Sequence, residues 1–269
     1  MTRFNRILIT GAAGRLGTQL RKGLAPLARH IRVNDRVEIS DIQTNEEAVI
    51  CDLGDPDAVM AMTEGVDAIA HFGGTPTEGP FEDILNSTIA GSYHIYEGAR
   101  RHGIKRIIYA SSNHAVGFHR LDSNIDADVT WRPDTLYGVS KCYVEALSRL
   151  YWDKWGIETV CMRIFSSFEE PLDRRMLWSW LSYRDFLGYV TAGLTAPSVG
   201  HTVVYAASAN KVTPFDNRKA GHLGYRPVDD TEAFREAMEA RTPVADPSAA
   251  STVYLGGKFV DMPHPADEA

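Results

Sequence analysis

Short apolar runs alternate with helix-length segments over the first two thirds of this 269-residue chain, a glycine turn sits between the first run and the first helical stretch, and an aspartate follows the second run. These three observations predict an α/β protein: a Rossmann-type doubly wound parallel sheet with helices on both faces and a small C-terminal substrate-binding elaboration. A chain of this length buries most of its apolar surface without staples, so residues 1–269 are expected to form one domain. About 1–165 would be the dinucleotide-binding core and about 166–269 the substrate-binding and tail elements.

Ile7–Thr10 opens the pattern as a strand, because an unbroken apolar run suits a strand covered on both faces. Gly11-x-x-Gly14-x-x-Gly17 follows at once, and Leu16 to Leu27 is apolar-periodic, giving strand, glycine turn and helix. That order describes a site for a dinucleotide pyrophosphate. Gly11 allows the tight turn, Gly14 lets the backbone approach the phosphates, and Gly17 lets helix and strand pack closely. The helix start, with Arg15 and Leu16, offers unpaired N–H donors and a partial positive charge. Ile31–Asn34 is the second strand, and Asp35 follows it at roughly the 20-residue offset of a carboxylate that bonds the adenosine ribose hydroxyls. Its charge would repel a 2′-phosphate, which favours NAD over NADP; the neighbouring Arg36 is the alternative, since an arginine there can pair with that phosphate.

Ala48–Cys51, Ala68–Phe72, Arg106–Ala110 and Thr159–Ile164 continue the strands. Asp55–Thr63, Phe81–His102, Tyr137–Trp155 and Met176–Leu194 read as helices, with Gly103 and Gly156 as C-terminal stops. Val203–Ala207 is expected as one more strand and Thr231–Ala240 as a final helix. The tail after Thr242 is proline-rich and polar apart from Val253-Tyr254-Leu255, so it should wrap over the surface or over a neighbouring subunit of a homo-oligomer.

A hydrophobic content of 44% and a charged content of 23% are those of an ordinary globule. The formal charge of −7 argues against nucleic acid, which wants a basic footprint, and requires local cations for any anionic substrate. No apolar run approaches the ~20 residues of a membrane span. Met1-Thr2-Arg3-Phe4 leads straight into the first strand, so a cytoplasmic protein is expected. Cys51, Cys142 and Cys161 have no metal-ligand spacing and are expected as reduced thiols, with neither a disulfide nor a metal site.

Tyr137-Gly138-Val139-Ser140-Lys141 places a phenol and an ammonium four residues apart, on one helix face. A phenol ionises near pH 10, and base chemistry near neutrality needs that lowered by roughly two to three units. The adjacent ammonium of Lys141, helped by the positive nicotinamide ring of an oxidised cofactor, is the expected source of the shift. Upstream, the fifth strand runs into Ser111-Ser112-Asn113-His114, so hydroxyls emerge at the carboxyl end of a strand, where open α/β sheets bind ligands.

The combined order of glycine turn, Asp35, Asp52-Leu53, Gly73-Gly74, Ser111-Ser112 and Tyr137-x-x-x-Lys141 resembles the extended short-chain dehydrogenase/reductase family over residues 4 to 168. The resemblance implies that Tyr137 is the base, that Lys141 holds the nicotinamide ribose and tunes Tyr137, and that Ser112 hydrogen-bonds the reacting oxygen. It further implies that Asp52 and Leu53 flank adenine and that Phe72, Gly73 and Gly74 line the central stretch of the cofactor. Ser167 would face the nicotinamide, and Ile164 would be a further cofactor contact.

Within the family, Ser111 to His114, Leu136 to Lys141, Arg175-Met176-Leu177 with Trp180, Ala207 to Asn210, Phe215-Asp216-Asn217 and Gly256 to Asp261 are similar to bacterial members that act on uronates. This implies NAD-dependent oxidation of D-glucuronate and D-galacturonate at C1 to aldarolactones. Asn113, His114 and Ser166 would then meet the sugar, and Arg175 would clamp its carboxylate with two parallel hydrogen bonds, the adjacent Arg174 being the alternative clamp. A structural histidine is the other reading of His114. Pro76 departs from the pattern, standing where a related sequence has a serine, so Thr75 or Thr77 would have to supply that hydroxyl. A nucleotide-sugar epimerase or dehydratase would use the same Tyr, Lys and Ser, but the stretch after Lys141 is short for gripping a nucleotide. A non-catalytic dinucleotide sensor can lose the Tyr or Lys that this chain keeps.

Overall fold

The computed structural model describes residues 2–267. Strands β1 (Phe4–Thr10), β2 (Ala28–Asp35), β3 (Glu46–Ile50), β4 (Ala68–His71), β5 (Arg106–Ser112) and β6 (Glu158–Ile164) form one parallel sheet with β9 (His201–Ala206). Between β6 and β9 lies a two-residue pair, β7 (Ser166–Ser167) with β8 (Trp180–Leu181). The order β3-β2-β1-β4-β5-β6-β9 reverses direction between β1 and β4, which opens a crevice at the carboxyl ends of those two strands.

Helices α1 (Arg15–Leu24) and α7 (Tyr183–Thr195) cover one face, burying Leu20, Leu24, Phe186 and Val190 against Ile7, Ile9 and Ile31. Helices α2 (Pro56–Thr63), α4 (Gly91–His102) and α5 (Leu136–Trp155) cover the other, where Val59, Ile95, Val144 and Tyr151 meet Leu8, Ile69 and Ile107. Asp55 caps α2 by accepting from the N–H groups of Asp57 and Ala58, and Thr135 caps α5 by accepting from Gly138. No side chain caps α1, whose N-cap is Gly14, so the N–H groups of its first turn stay open to the crevice. The expected helix Phe81–His102 is continuous, but Leu85–Ala90 is wound as a π-turn between α3 (Phe81–Ile84) and α4. In that turn the Ser87 and Thr88 hydroxyls both accept from the Thr75 N–H.

One expected helix is corrected. Met176–Leu194 is broken: α6 (Met176–Ser179) ends at Trp180–Leu181, which extends to pair with β7, and Ser182 starts α7 as its N-cap by accepting from Asp185 N–H at 3.0 Å. The cap and the donation of Trp180 Nε1 to Phe168 O outweigh helical continuation across a stretch whose apolar spacing is otherwise unbroken. The final helix is shorter and later than expected: Glu232–Phe234 is a 3₁₀ turn and α8 spans Arg235–Arg241. The tail adds α9 (Ala250–Val253) and folds over this chain's own site, Leu255 donating to His119 O and Gly256 to Gly117 O. Cys142 and Cys161 are buried free thiols and Cys51 is half-buried and free.

Buried behind the crevice, Thr10 Oγ1 accepts from the N–H groups of Phe72 and Gly73 at 3.2 and 3.0 Å, which uses both of its lone pairs. Its proton therefore goes to His71 Nδ1, 2.8 Å away, and His71 Nε2 donates to Ser92 Oγ at 3.0 Å. Burial pushes His71 from its ordinary value near 6.5 down to about 3, so the ring stays neutral and fixes the Phe72–Gly73 turn. An unfolded chain takes up a proton here between about pH 6.5 and 3 that the folded chain refuses. This histidine thus makes stability fall on acidification through that window, by about 1.4 kcal/mol per pH unit. His71→Gln should flatten the acid limb of a plot of urea-unfolding free energy against pH by that slope; parallel limbs would rule the histidine out as its cause.

Candidate active site

The crevice and the loops above β5 and β6 enclose a cavity of about 780 Å³. Gly11, Gly14, Arg15, Leu16 and Gly17 form one end of it. Gly11 has φ +70°, and a Cβ there would lie 2.7 Å from the Phe72 carbonyl carbon; a Cβ on Gly17 would collide with Gly11 O. Glycine is thus required on both sides of the turn, and the backbone is left as a bare cradle before an uncapped helix. This donor set fits a pyrophosphate. Asp35 ends β2 beside the cradle, one oxygen accepting from Ala13 N–H at 3.0 Å and the other from Arg36 N–H at 2.8 Å. Asp52 accepts from Gly54 N–H, and Leu53 lies against Gly73. Asp35, Asp52, Leu53 and Gly73 are outside the cavity lining, whereas Phe72 and Gly74 are part of it.

At the other end β5 delivers Ser112, and α5 delivers Tyr137 and Lys141 one turn apart on its buried face. Lys141 Nζ donates to Ala110 O at 2.9 Å and stands 5.2 Å from the centre of the Tyr137 ring. Burial pushes this lysine down to about 8, Glu145 one turn on opposing the shift. The phenol differs from the sequence expectation: burial pushes Tyr137 up to about 12, and hydrogen bonding to Ser112 offsets this only in part. In the protein alone desolvation, aided by the charge of Asp134, therefore outweighs the Ser112 hydrogen bond, and ionisation of the phenol calls for further positive charge beside it. Glu78, which the sequence did not mark, holds the start of α5 by accepting from the N–H groups of Leu136 and Tyr137, at 3.3 and 2.7 Å.

Behind Ser112 a fully buried ion pair joins Glu145 to Arg163 at 2.8 Å. Its carboxylate also accepts from Ser111 Oγ at 2.6 Å and Trp131 Nε1 at 2.8 Å, so the floor of the site is a satisfied polar network.

Arg175 enters the cavity from the start of α6. Its Nη1 donates to Ser166 Oγ at 3.2 Å and its Nη2 to Leu255 O at 2.7 Å, while Nε is buried without a partner. Burial lowers its pKa, which Asp173 and Asp134 oppose, so an anion beside it would be stabilising. Arg174, the alternative clamp, is committed elsewhere: Nε donates to Thr242 O at 2.6 Å and Nη2 to Glu239 O at 2.5 Å, tying the tail down. Asn113 donates to Leu255 O at 3.2 Å, and His114 stacks on Phe259 with ring centres 3.8 Å apart. Ile164, Ser166 and Ser167 complete the wall. Arg15 lies 3.9 Å over the Phe168 ring, joining the cradle to the loop that carries Arg175. Thr75 and Pro76 line the cavity, the Thr75 hydroxyl being bonded to Ser87 Oγ at 2.6 Å and Asp83 O. Of the aromatic wall of Phe168, Trp178 and Phe259, the sequence marked Phe259 alone, as part of the stretch Gly256 to Asp261 and without a role of its own.

A bare glycine cradle at the sheet's reversal, a carboxylate at the end of β2 and a Ser–Tyr–Lys set in the same cavity define a dinucleotide-binding α/β protein equipped for redox chemistry at a carbon–oxygen bond. The chain belongs to the NAD dependent epimerase/dehydratase family, whose model matches residues 7–176. It is 52% identical to the uronate dehydrogenase of Pseudomonas putida over 96% of each chain. Its structure is similar to that of glucuronic acid dehydrogenase from Chromohalobacter salexigens (TM-score 0.96, 44% identity, 98% of this chain and 99% of that one). It is also similar to a tyrosine-to-alanine variant of uronate dehydrogenase from Agrobacterium tumefaciens complexed with NAD (TM-score 0.94, 47% identity, 96% and 98%).

Proposed function

We propose that this protein oxidises the cyclic forms of D-glucuronate and D-galacturonate at C1 to the aldarolactone, with NAD as acceptor. The observation that carries the reading is Arg175, a buried guanidinium with an unpaired Nε in the same cavity as Ser112, Tyr137 and Lys141. The likeness to uronate dehydrogenases over 96% of the chain supports it.

Gly11, Gly14, Arg15, Leu16 and Gly17 hold the pyrophosphate, and Asp35 the adenosine ribose. Asp52 and Leu53 flank adenine, while Phe72, Gly73 and Gly74 follow the centre of the cofactor, and Ile164, Ser167, Tyr137 and Lys141 its nicotinamide half. When bound, NAD supplies the acceptor for the C1 hydride and a positive ring. Tyr137 takes the proton of the C1 hydroxyl, Ser112 hydrogen-bonds the same oxygen, and Lys141 stabilises the phenolate. Arg175 and Ser166 hold the carboxylate, and Asn113 and His114 the ring hydroxyls. Stoichiometric NADH formation with free uronates, far faster than with glucose and absent with UDP-sugars, tests the assignment in a spectrophotometric assay.

Asp35→Ala should reduce the preference of kcat/KM for NAD over NADP roughly tenfold or more, about 1.4 kcal/mol, because it removes a carboxylate facing the 2′-phosphate. An unchanged ratio would shift cofactor selection to another residue.

The chain is read as a single domain and a cytoplasmic homo-oligomer. Among the described residues no helix is long and apolar enough to cross a membrane. Val139, Tyr143, Ala146 and Leu150 make an exposed stripe on α5, and Tyr93 is exposed on the adjacent α4, a face suited to a second copy. Its net charge of −7 suits neither nucleic acid nor an anionic membrane surface.

A further inference from the structure

Asp134 lies in the loop before α5, and its side chain is fully buried. One oxygen, Oδ2, accepts from His114 Nδ1 at 2.8 Å, and Oδ1 accepts from Thr135 Oγ1 at 3.0 Å. The Thr135 hydroxyl in turn accepts from Gly138 N–H as the cap of the helix that carries Tyr137. A Cβ on either Gly117 or Gly256 would collide with Asp134 Oδ2, and Gly256 N–H donates to Gly117 O at 2.9 Å. One carboxylate is therefore gripped by three segments: the loop after β5, the start of α5 and the tail. Its charge also favours the buried guanidinium of Arg175.

We infer that Asp134 is a positioning residue, which fixes the tautomer and orientation of His114 toward the sugar and locks the tail over the site. The inference rests on the proposed uronate oxidation. Because Nδ1 donates to the carboxylate, Nε2 of the neutral ring is an acceptor. Among the described residues Nε2 has no hydrogen-bond partner, and His114 lines the cavity while Phe259 covers the ring face. That nitrogen therefore takes an O–H from a ring hydroxyl of the substrate. A buried carboxylate is costly unless its lone pairs are filled; here His114 and the Thr135 cap fill them, while the tail packs against the same oxygen at Gly256.

The experiment has two arms. In the unmodified protein, ¹⁵N NMR of labelled histidine should show His114 as the Nδ1–H tautomer; an Nε2–H ring overturns the inference whatever the enzyme does. Asp134→Asn keeps the shape and removes the charge. It should raise KM for glucuronate roughly tenfold, with kcat falling by less than about threefold and NAD affinity unchanged. His114→Phe keeps the stack on Phe259 and should raise KM similarly, and the double variant should be no worse than His114→Phe alone. A loss confined to kcat, or effects that multiply in the double variant, overturns the inference. Failure of the unmodified protein to oxidise any uronate would instead defeat the proposed reaction, leaving the tautomer measurement to decide the Asp134–His114 pairing.

Discussion

Tyr137→Phe lowers turnover of glucuronate with NAD by at least ~10²-fold, the lower range for removing a positioned proton-transfer group, and leaves NAD affinity nearly unchanged. The size follows from where the phenol sits. It is buried, which limits access of a substituting water, and Lys141 is already engaged with Ala110 O. The ring packs 5.2 Å from Lys141 Nζ and 5.8 Å from the His114 ring; Phe preserves both contacts and removes only the oxygen. Steady-state rates together with NAD binding by fluorescence titration separate loss of chemistry from loss of cofactor. Near-normal turnover would take the proton away from Tyr137.

Arg175→Ala reduces kcat/KM for uronates by roughly ten- to a hundredfold, the equivalent of about 1.5–3 kcal/mol for a lost charged hydrogen bond. The side chain also holds Leu255 O and Ser166, so truncation loosens the wall as well as removing the charge. The ratio of glucuronate to glucose isolates the charge, because loosening of the wall affects both sugars while a carboxylate contact affects one. Arg175→Lys should recover part of the ratio, an ammonium being unable to give two parallel bonds. Arg174→Ala should leave the ratio alone and cost stability of the tail, since its guanidinium is spent on the carbonyls of Thr242 and Glu239. Retained discrimination in Arg175→Ala would end the clamp reading.

The parallel strands were legible because a strand covered on both faces reads as a mostly apolar run, as at Ile7–Thr10 and at Thr159–Ile164, where Arg163 alone is charged. The cradle was legible because the glycine turn stands between a strand and a helix and Asp35 follows the next strand at the offset of a ribose-binding carboxylate, whereas glycine turns alone are common. Helix boundaries were less so at Trp180–Leu181, where apolar residues keep helical spacing through a break imposed by Ser182 and by pairing with Ser166–Ser167. Arg174 and Arg175 both border the cavity, and which of them keeps a buried, unpaired donor is decided by the winding of one short turn, which adjacent identical residues cannot reveal. Asp134 and Glu78 stayed hidden for a different reason. Each acts from a loop through groups distant in the chain, and no periodicity marks a loop carboxylate.

The carbonyl of Leu255 receives both Asn113 and Arg175, and Phe259 covers His114. During synthesis the cradle and the Ser–Tyr–Lys set, drawn from residues 11 to 141, leave the ribosome well before the segment that closes the sugar's side of the cavity. The segment that finishes this side of the cavity is thus the last part of the site to be made, after β6, α7 and β9 have completed the sheet and its cover.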